Sequence, residues 1–178
     1  MPGYKLHIGC GKRYIPGFIH VDVVPQDHLQ VLADVSKLPF RYDSVDLIYA
    51  CHVLEHFGRH AIHDVLLDWN HALRLGGILR ISVPNMEAIA AQYYLTEDLE
   101  PLISLIMGDQ KDRFNHHGMI FDYFVLRDHL RRAGFRLVRW YDWRKTEHSE
   151  YDDYSQAYLP HMDKAHGRLM SLNVEAVA

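Results

Sequence analysis

The run Lys5-Leu6-His7-Ile8-Gly9-Cys10-Gly11 constrains this chain more than any other. Leu6 and Ile8 are strand formers, and two glycines follow them directly. Gly9 permits a tight turn, and Gly11 lets the backbone come close to a ligand over the strand end. The next carboxylate is Asp22, which closes a second short run, Phe18-Ile19-His20-Val21-Asp22. A carboxylate at the tip of a second strand, beside a glycine turn on the first, suits the two hydroxyls of a ribose. Asp34 closes a third run, Leu29-Gln30-Val31-Leu32-Ala33-Asp34. Three consecutive strand ends, one glycine-rich and two acidic, point to a nucleoside cofactor.

Two nucleotide classes drop out on spacing. A dinucleotide fingerprint needs a third glycine where Tyr14 stands, and its acidic residue belongs about 20 residues past the glycines, farther than Asp22. A phosphate-binding loop needs a lysine and a hydroxyl after the glycines, and that pair is missing. A nucleoside without a pyrophosphate fits better. The ordered set Leu6-His7-Ile8-Gly9-Cys10-Gly11, Val21-Asp22, Ala33-Asp34-Val35 with Leu38-Pro39-Phe40, Asp46-Leu47-Ile48-Tyr49, His52-Val53-Leu54-Glu55-His56 and Leu73-Arg74-Leu75-Gly76-Gly77 spans roughly the first half of the chain. In this order it resembles the class I S-adenosylmethionine-dependent methyltransferases, especially the small type 11-like group.

The resemblance implies S-adenosylmethionine as cofactor and assigns roles. Gly9, Cys10 and Gly11 would lie against the methionine part of the donor. Asp22 would take the ribose hydroxyls, Asp34 the adenine amino group, and the Val35 backbone the ring edge. Cys51 and His52 would face the sulfonium. His7 stands where the family often has an acidic residue, so it would border the donor's amino group.

At 178 residues the chain suits a single domain, spanning residues 1–178, with a core of its own. The expected fold class is α/β, Rossmann-like and doubly wound. The alternation of strand and helix implies a mostly parallel sheet with helices on both faces. The resemblance adds an antiparallel C-terminal strand inserted beside the one before it, and a small helical lid over residues 86–121. The link from Gly11 to Gly17 is very short for a crossover between parallel strands and contains Pro16-Gly17, so the first helix is expected to be reduced to a turn or so. Helical spacing of Ile62, Val65, Leu66, Trp69, Ala72 and Leu73 predicts a helix over 59–75, stopped by Gly76. Further helices are expected over 86–95, 97–107 and 122–133, and strands over 78–83, 135–141 and 170–176. Residues 142–167 form a long loop rich in Tyr, Asp and His that could close the site or join two subunits of a homodimer.

The formal charge of −4 argues against a nucleic-acid partner held by overall field, and no apolar run is long enough to span a membrane. Cys10 and Cys51 are the only cysteines, have no metal-ligand spacing, and read as reduced residues of a cytoplasmic protein without a signal peptide. For a general base, histidine is the natural residue. His117 and His116 lie on the expected lid and His56 follows the fourth strand, expected over 45–50; each also has a reading as a surface or packing residue. His52, His56, His60 and His63 have helix-face spacing for a metal, but no cysteine or carboxylate set completes it, so no metal is expected. The basic stretch Arg127, Arg131, Arg132, Arg136, Arg139, Arg144 and Lys145 is either a solvated face or an anion site for a phosphate-bearing acceptor. The function expected is methyl transfer to an oxygen or nitrogen of a small molecule, a sugar or nucleotide sugar by resemblance. Other readings are a donor-binding partner subunit without activity, and a methyltransferase acting on protein or RNA.

Overall fold

A computed structural model describes residues 3–178. In chain order its elements are β1 (Tyr4–Ile8), β2 (Ile19–Asp22), β3 (Val31–Leu32), β4 (Val45–Cys51), α1 (Ile62–Ala72), β5 (Leu73–Pro84), α2 (Met86–Thr96), α3 (Ile103–Met107), α4 (Tyr123–Arg132), β6 (Arg136–Trp140), β7 (Tyr158–Leu159), β8 (Arg168–Leu169) and β9 (Ser171–Val177). Seven strands make one sheet in the order β3-β2-β1-β4-β5-β9-β6. The first five run parallel, and β9 is antiparallel to both β5 and β6. The chain moves outward from β1 to β3 and then returns to β4. The strand order therefore reverses between β1 and β4, and the crevice for a ligand opens at their carboxyl ends.

Strand alternation sorts the two faces of this sheet. Leu6 and Ile8, Ile48 and Ala50, Leu79 and Ile81 point to one side, where α1 and α4 pack through Leu66, Trp69, Leu126 and Leu130. Each such side chain, fully buried, contributes about 1.5–3 kcal/mol. The other side carries His7, Tyr49, Arg80, Asn173 and Glu175, all buried and mostly polar. Among the described residues no α-helix covers it, contrary to the expectation of helices on both faces. The links that would supply one are short and broken by Pro16, Pro25 and Pro39. Residues 141–157 lie across this face as a strap instead. Tyr49 Oη donates to Asp153 at 2.5 Å, Asn173 Nδ2 to the Ser155 carbonyl at 2.9 Å, and Arg80 to Glu147 at 2.7 Å. The strap continues into the β7–β8 hairpin, so residues 142–167 are an ordered cover.

Three local expectations shift. The helix expected over 59–75 spans Ile62–Ala72, because Leu73 turns extended and pairs with Val45 at the start of β5. The helix expected over 97–107 shrinks to a 3-10 turn at Glu100–Leu102 followed by α3, since Pro101 can occupy only a first turn. The third strand keeps a ladder at Val31–Leu32 alone. The short link after Gly11 is a turn, as expected.

Candidate functional site: the crevice between the first and fourth strands

Gly9 has φ +59°, and a Cβ there would meet Val53 Cγ2 at 2.4 Å. The glycine turn therefore rests directly on the residue that follows β4, closing the floor of the crevice. Gly11 has φ +52° with nothing within 4 Å of where its Cβ would be. A side chain there would enter open space above the turn. Asp22 holds the turn in place. Its Oδ2 accepts from Gly11 N at 2.8 Å and its Oδ1 from Val24 N at 2.8 Å. Each oxygen keeps a further lone pair for an incoming hydroxyl. Asp34 is exposed beyond β3, where its Oδ1 accepts from Ser36 N at 2.8 Å. Val35 is buried, and its carbonyl accepts from Trp69 Nε1 at 2.7 Å. Glycine turn, Asp22 and Asp34 thus stand at or just beyond the ends of β1, β2 and β3 in turn.

The remaining sequence-predicted donor residues separate. His7 lies under the strap, with ring centroids 5.3 Å from Tyr49 and 5.4 Å from His20. Burial, reinforced by His20 and His148, pushes its pKa down to about 3, so the ring is neutral. Cys51 also packs under the strap with Tyr49, and burial pushes its thiol well up. Cys10 sits at the turn itself, pushed up to about 12 by burial and by Asp22. Both cysteines are free, protonated fillers rather than nucleophiles.

On the far side of Val53 the chain forms a 3-10 turn, Leu54–His56, that brings four chemistry-bearing groups together. His52 takes a left-handed conformation (φ +54°) and bridges two partners. Its Nε2 lies 2.9 Å from Ser171 Oγ and its Nδ1 lies 3.2 Å from Glu55 Oε1. Ser171 donates its own hydrogen to the Tyr154 carbonyl, so it accepts from His52 Nε2. Glu55 is wholly buried. The lid closes down on this turn: Gly118 N and Met119 N both donate to the Glu55 carbonyl, at 2.8 and 3.2 Å. Only glycine at 118 permits that approach, since a Cβ would sit 2.7 Å from the Phe57 carbonyl oxygen. The lid delivers His117 to His56, ring centroids 4.9 Å apart. Burial pushes the His117 pKa down, against the opposite pull of Glu55. His116 is exposed; its carbonyl accepts from His56 Nδ1 at 3.2 Å. His60 and His63 are exposed. Glu55 stands in the first turn of this 3-10 segment. The signal for its burial was its place in the apolar run Val53-Leu54-Glu55.

The basic stretch is divided, and three of its arginines, Arg127, Arg139 and Arg144, are paired with carboxylates. Arg139 and Arg80 both pair with Glu175, at 3.1 and 2.9 Å, on the wall of a cleft of about 490 Å³. Arg127 bonds Asp128, and Arg144 bonds Asp142 and the Tyr158 hydroxyl. A smaller cleft of about 220 Å³ lies next to the glycine turn, between residues 12–15 and the strap at 151–153. There Arg13 donates to the Asp152 carbonyl and its guanidinium lies 5.5 Å from the Tyr154 ring.

A family model described as a methyltransferase domain matches residues 16–81. No curated protein matches the sequence. Among solved structures, an S-adenosylmethionine-dependent methyltransferase from Thermotoga maritima superposes with TM-score 0.60 at 18% identity, covering 99% of this chain and 83% of that one. One from Archaeoglobus fulgidus gives 0.57 at 16% identity, covering 99% and 86%. The 1,6-didemethyltoxoflavin-N1-methyltransferase of Burkholderia thailandensis, solved with 1,6-didemethyltoxoflavin and S-adenosylhomocysteine, gives 0.57 at 16% identity, covering 99% and 71%. Over residues 16–81 the chain is thus similar to a methyltransferase domain, and its strand order is the fold it shares with these S-adenosylmethionine-dependent methyltransferases.

Proposed function

We propose that this chain transfers a methyl group from S-adenosylmethionine to an oxygen or nitrogen of a small molecule, with a sugar or nucleotide sugar as the first acceptors to try. The observation that carries the reading is the crevice itself: a glycine cradle fixed by Asp22 and seated on Val53, with Glu55, His56 and His117 directly beyond. The cofactor supplies an activated methyl on a sulfonium, so the protein has only to hold it, aim the acceptor and receive a proton. Gly9, Cys10 and Gly11 would take the methionine part, Asp22 the ribose, and Asp34 with the Val35 backbone the adenine. Cys51 shapes the strand end from below, and His52 faces the crevice. His117 and His56, with Glu55 behind them, form the side on which the acceptor loses its proton. Exposed His116 positions His56 through its carbonyl.

A small acceptor is favoured because the lid is pinned to the turn beyond β4 rather than standing open. The toxoflavin-precursor complex of a relative with this fold agrees with that size class. The free, protonated cysteines suit a cytoplasmic protein. The test supplies donor with an isotopically labelled methyl to the purified protein and a metabolite extract. Mass spectrometry then seeks labelled products. A labelled small molecule is expected, and His117→Ala should lower turnover at least tenfold with donor affinity nearly unchanged. Label appearing only on protein or RNA would overturn the acceptor class.

A further inference from the structure

The carboxylate of Glu55 is fully buried, yet neither of its oxygens has a hydrogen-bond partner. A buried, unpaired carboxylate is costly and calls for a positive charge. His52 Nδ1, 3.2 Å away, approaches one of the two oxygens. Two other rings are already oriented toward the same place. His56 directs Nδ1 at the His116 carbonyl (3.2 Å), and His117 directs Nδ1 at the Leu105 carbonyl (3.1 Å). In a neutral ring this commits the hydrogen to Nδ1 and leaves a lone pair on Nε2. Backbone carbonyls holding the second nitrogen are the usual support of metal-binding histidines. One ligand atom each from Glu55, His56 and His117 lies within 4.8 Å of the others. A hydrogen bond can serve two of these atoms; a cation can serve all three.

We propose that Glu55, His56 and His117 bind a zinc ion at the mouth of the crevice, with one coordination position left for the acceptor. Two imidazoles and one carboxylate are borderline ligands that favour Zn²⁺ over Mg²⁺, and three protein ligands are the number found where a fourth position stays open. Drawing the three atoms to about 2.1 Å from one ion needs only an inward shift of the half-buried rings. The helix-face set read from sequence was incomplete because its partners are distant: of His52, His56, His60 and His63, His56 alone joins, and the lid supplies His117. An acceptor hydroxyl on the open position would lose its proton to solvent more readily, because the cation stabilises the alkoxide. This deepens the methyl-transfer reading and rests on it for the acceptor's role.

The experiment strips the protein with a chelator and titrates Zn²⁺ by calorimetry, with Co²⁺ as a visible-absorption probe of tetrahedral geometry. One equivalent of Zn²⁺ is expected, with Mg²⁺ failing to compete. Glu55→Gln and His117→Ala should each weaken Zn²⁺ binding 10–100-fold, whereas His60→Ala at an exposed position should leave it unchanged. No uptake by the stripped wild-type protein would overturn the proposal, and so would equal losses in His60→Ala and His117→Ala. Donor binding is measured on the same samples. Zinc bound without donor would count against the methyltransferase reading alone, and donor bound without zinc against the metal site alone. Circular dichroism of each variant separates loss of ligand from loss of fold.

Discussion

Asp22 does two jobs with one carboxylate, and substitutions should separate them. It accepts from the backbone N–H groups of Gly11 and Val24, so it shapes the cradle as well as facing the ribose. Asp22→Ala should weaken donor binding at least tenfold and cost about 1–3 kcal/mol of stability, because two N–H groups lose their acceptor. Asp22→Asn retains one oxygen and should lose less stability. Calorimetry with donor and urea unfolding read the two effects; an unchanged donor dissociation constant in Asp22→Ala would remove it from the ribose. Gly9 makes a sharper case. With φ +59° and Val53 at 2.4 Å from the added Cβ, Gly9→Ala should cost about 1–3 kcal/mol. Val53→Ala on the same background should recover part of the loss in urea unfolding, since it removes the clash and leaves only the backbone strain. At this scale the cradle was legible because glycine and aspartate at strand ends act locally. Glu55 was not, because its burial depends on a lid 63 residues further along the chain.

The elements divide in the same way. α1 was legible from its 3.6-residue spacing, and its buried face is the one the spacing names: Ile62, Val65, Leu66, Trp69 and Ala72. β1, β4 and β5 were legible as apolar runs. The strap was not, because residues 141–157 have little periodicity of their own and are ordered by partners far away in sequence. Tyr49 and Asp153 are 104 positions apart and form a buried hydrogen bond of 2.5 Å. Tyr49→Phe should therefore leave Asp153, 6% exposed, with only its bond from Ser155 N. The expected loss is about 1–3 kcal/mol in urea unfolding, with faster proteolytic cleavage within 142–157. Equal stability and equal cleavage would mean that the strap is held by its ends, the Arg80–Glu147 contact and the β7–β8 hairpin. The absence of helices on this face is itself a consequence of short, proline-broken links, which the sequence displayed but which alternation of strand and helix overrode in the reading.

For the whole molecule, a sheet with one apolar and one polar face has a consequence for pH. His7, His20 and His148 are buried together on the polar face, and burial lowers all three. His20 shows why protonation is resisted: its Nε2 accepts from Ile15 N at 2.9 Å while its Nδ1 donates to Gln30 Oε1 at 2.9 Å, so both nitrogens are engaged in the neutral form. His7 falls furthest, from 6.5 to about 3. Below 6.5 the unfolded chain takes up its proton, while the folded one holds out until about 3. Stability contributed by neutral His7 is therefore fully present above pH 6.5 and is lost as pH falls through that window. At pH 4 the loss from His7 alone is about 3 kcal/mol, and His20 and His148 act in the same direction. Urea unfolding between pH 7.5 and 4, roughly the window these shifts define, should show a steep fall in stability for the wild-type chain. His7→Phe places an apolar ring among Phe18 and Tyr49 and removes that titration, so its stability should fall less steeply over the same range. Carboxylate titrations are common to both proteins and cancel in the difference. An identical fall in the two would mean that His7 is already charged inside the fold, and that the strap does not keep its face dry.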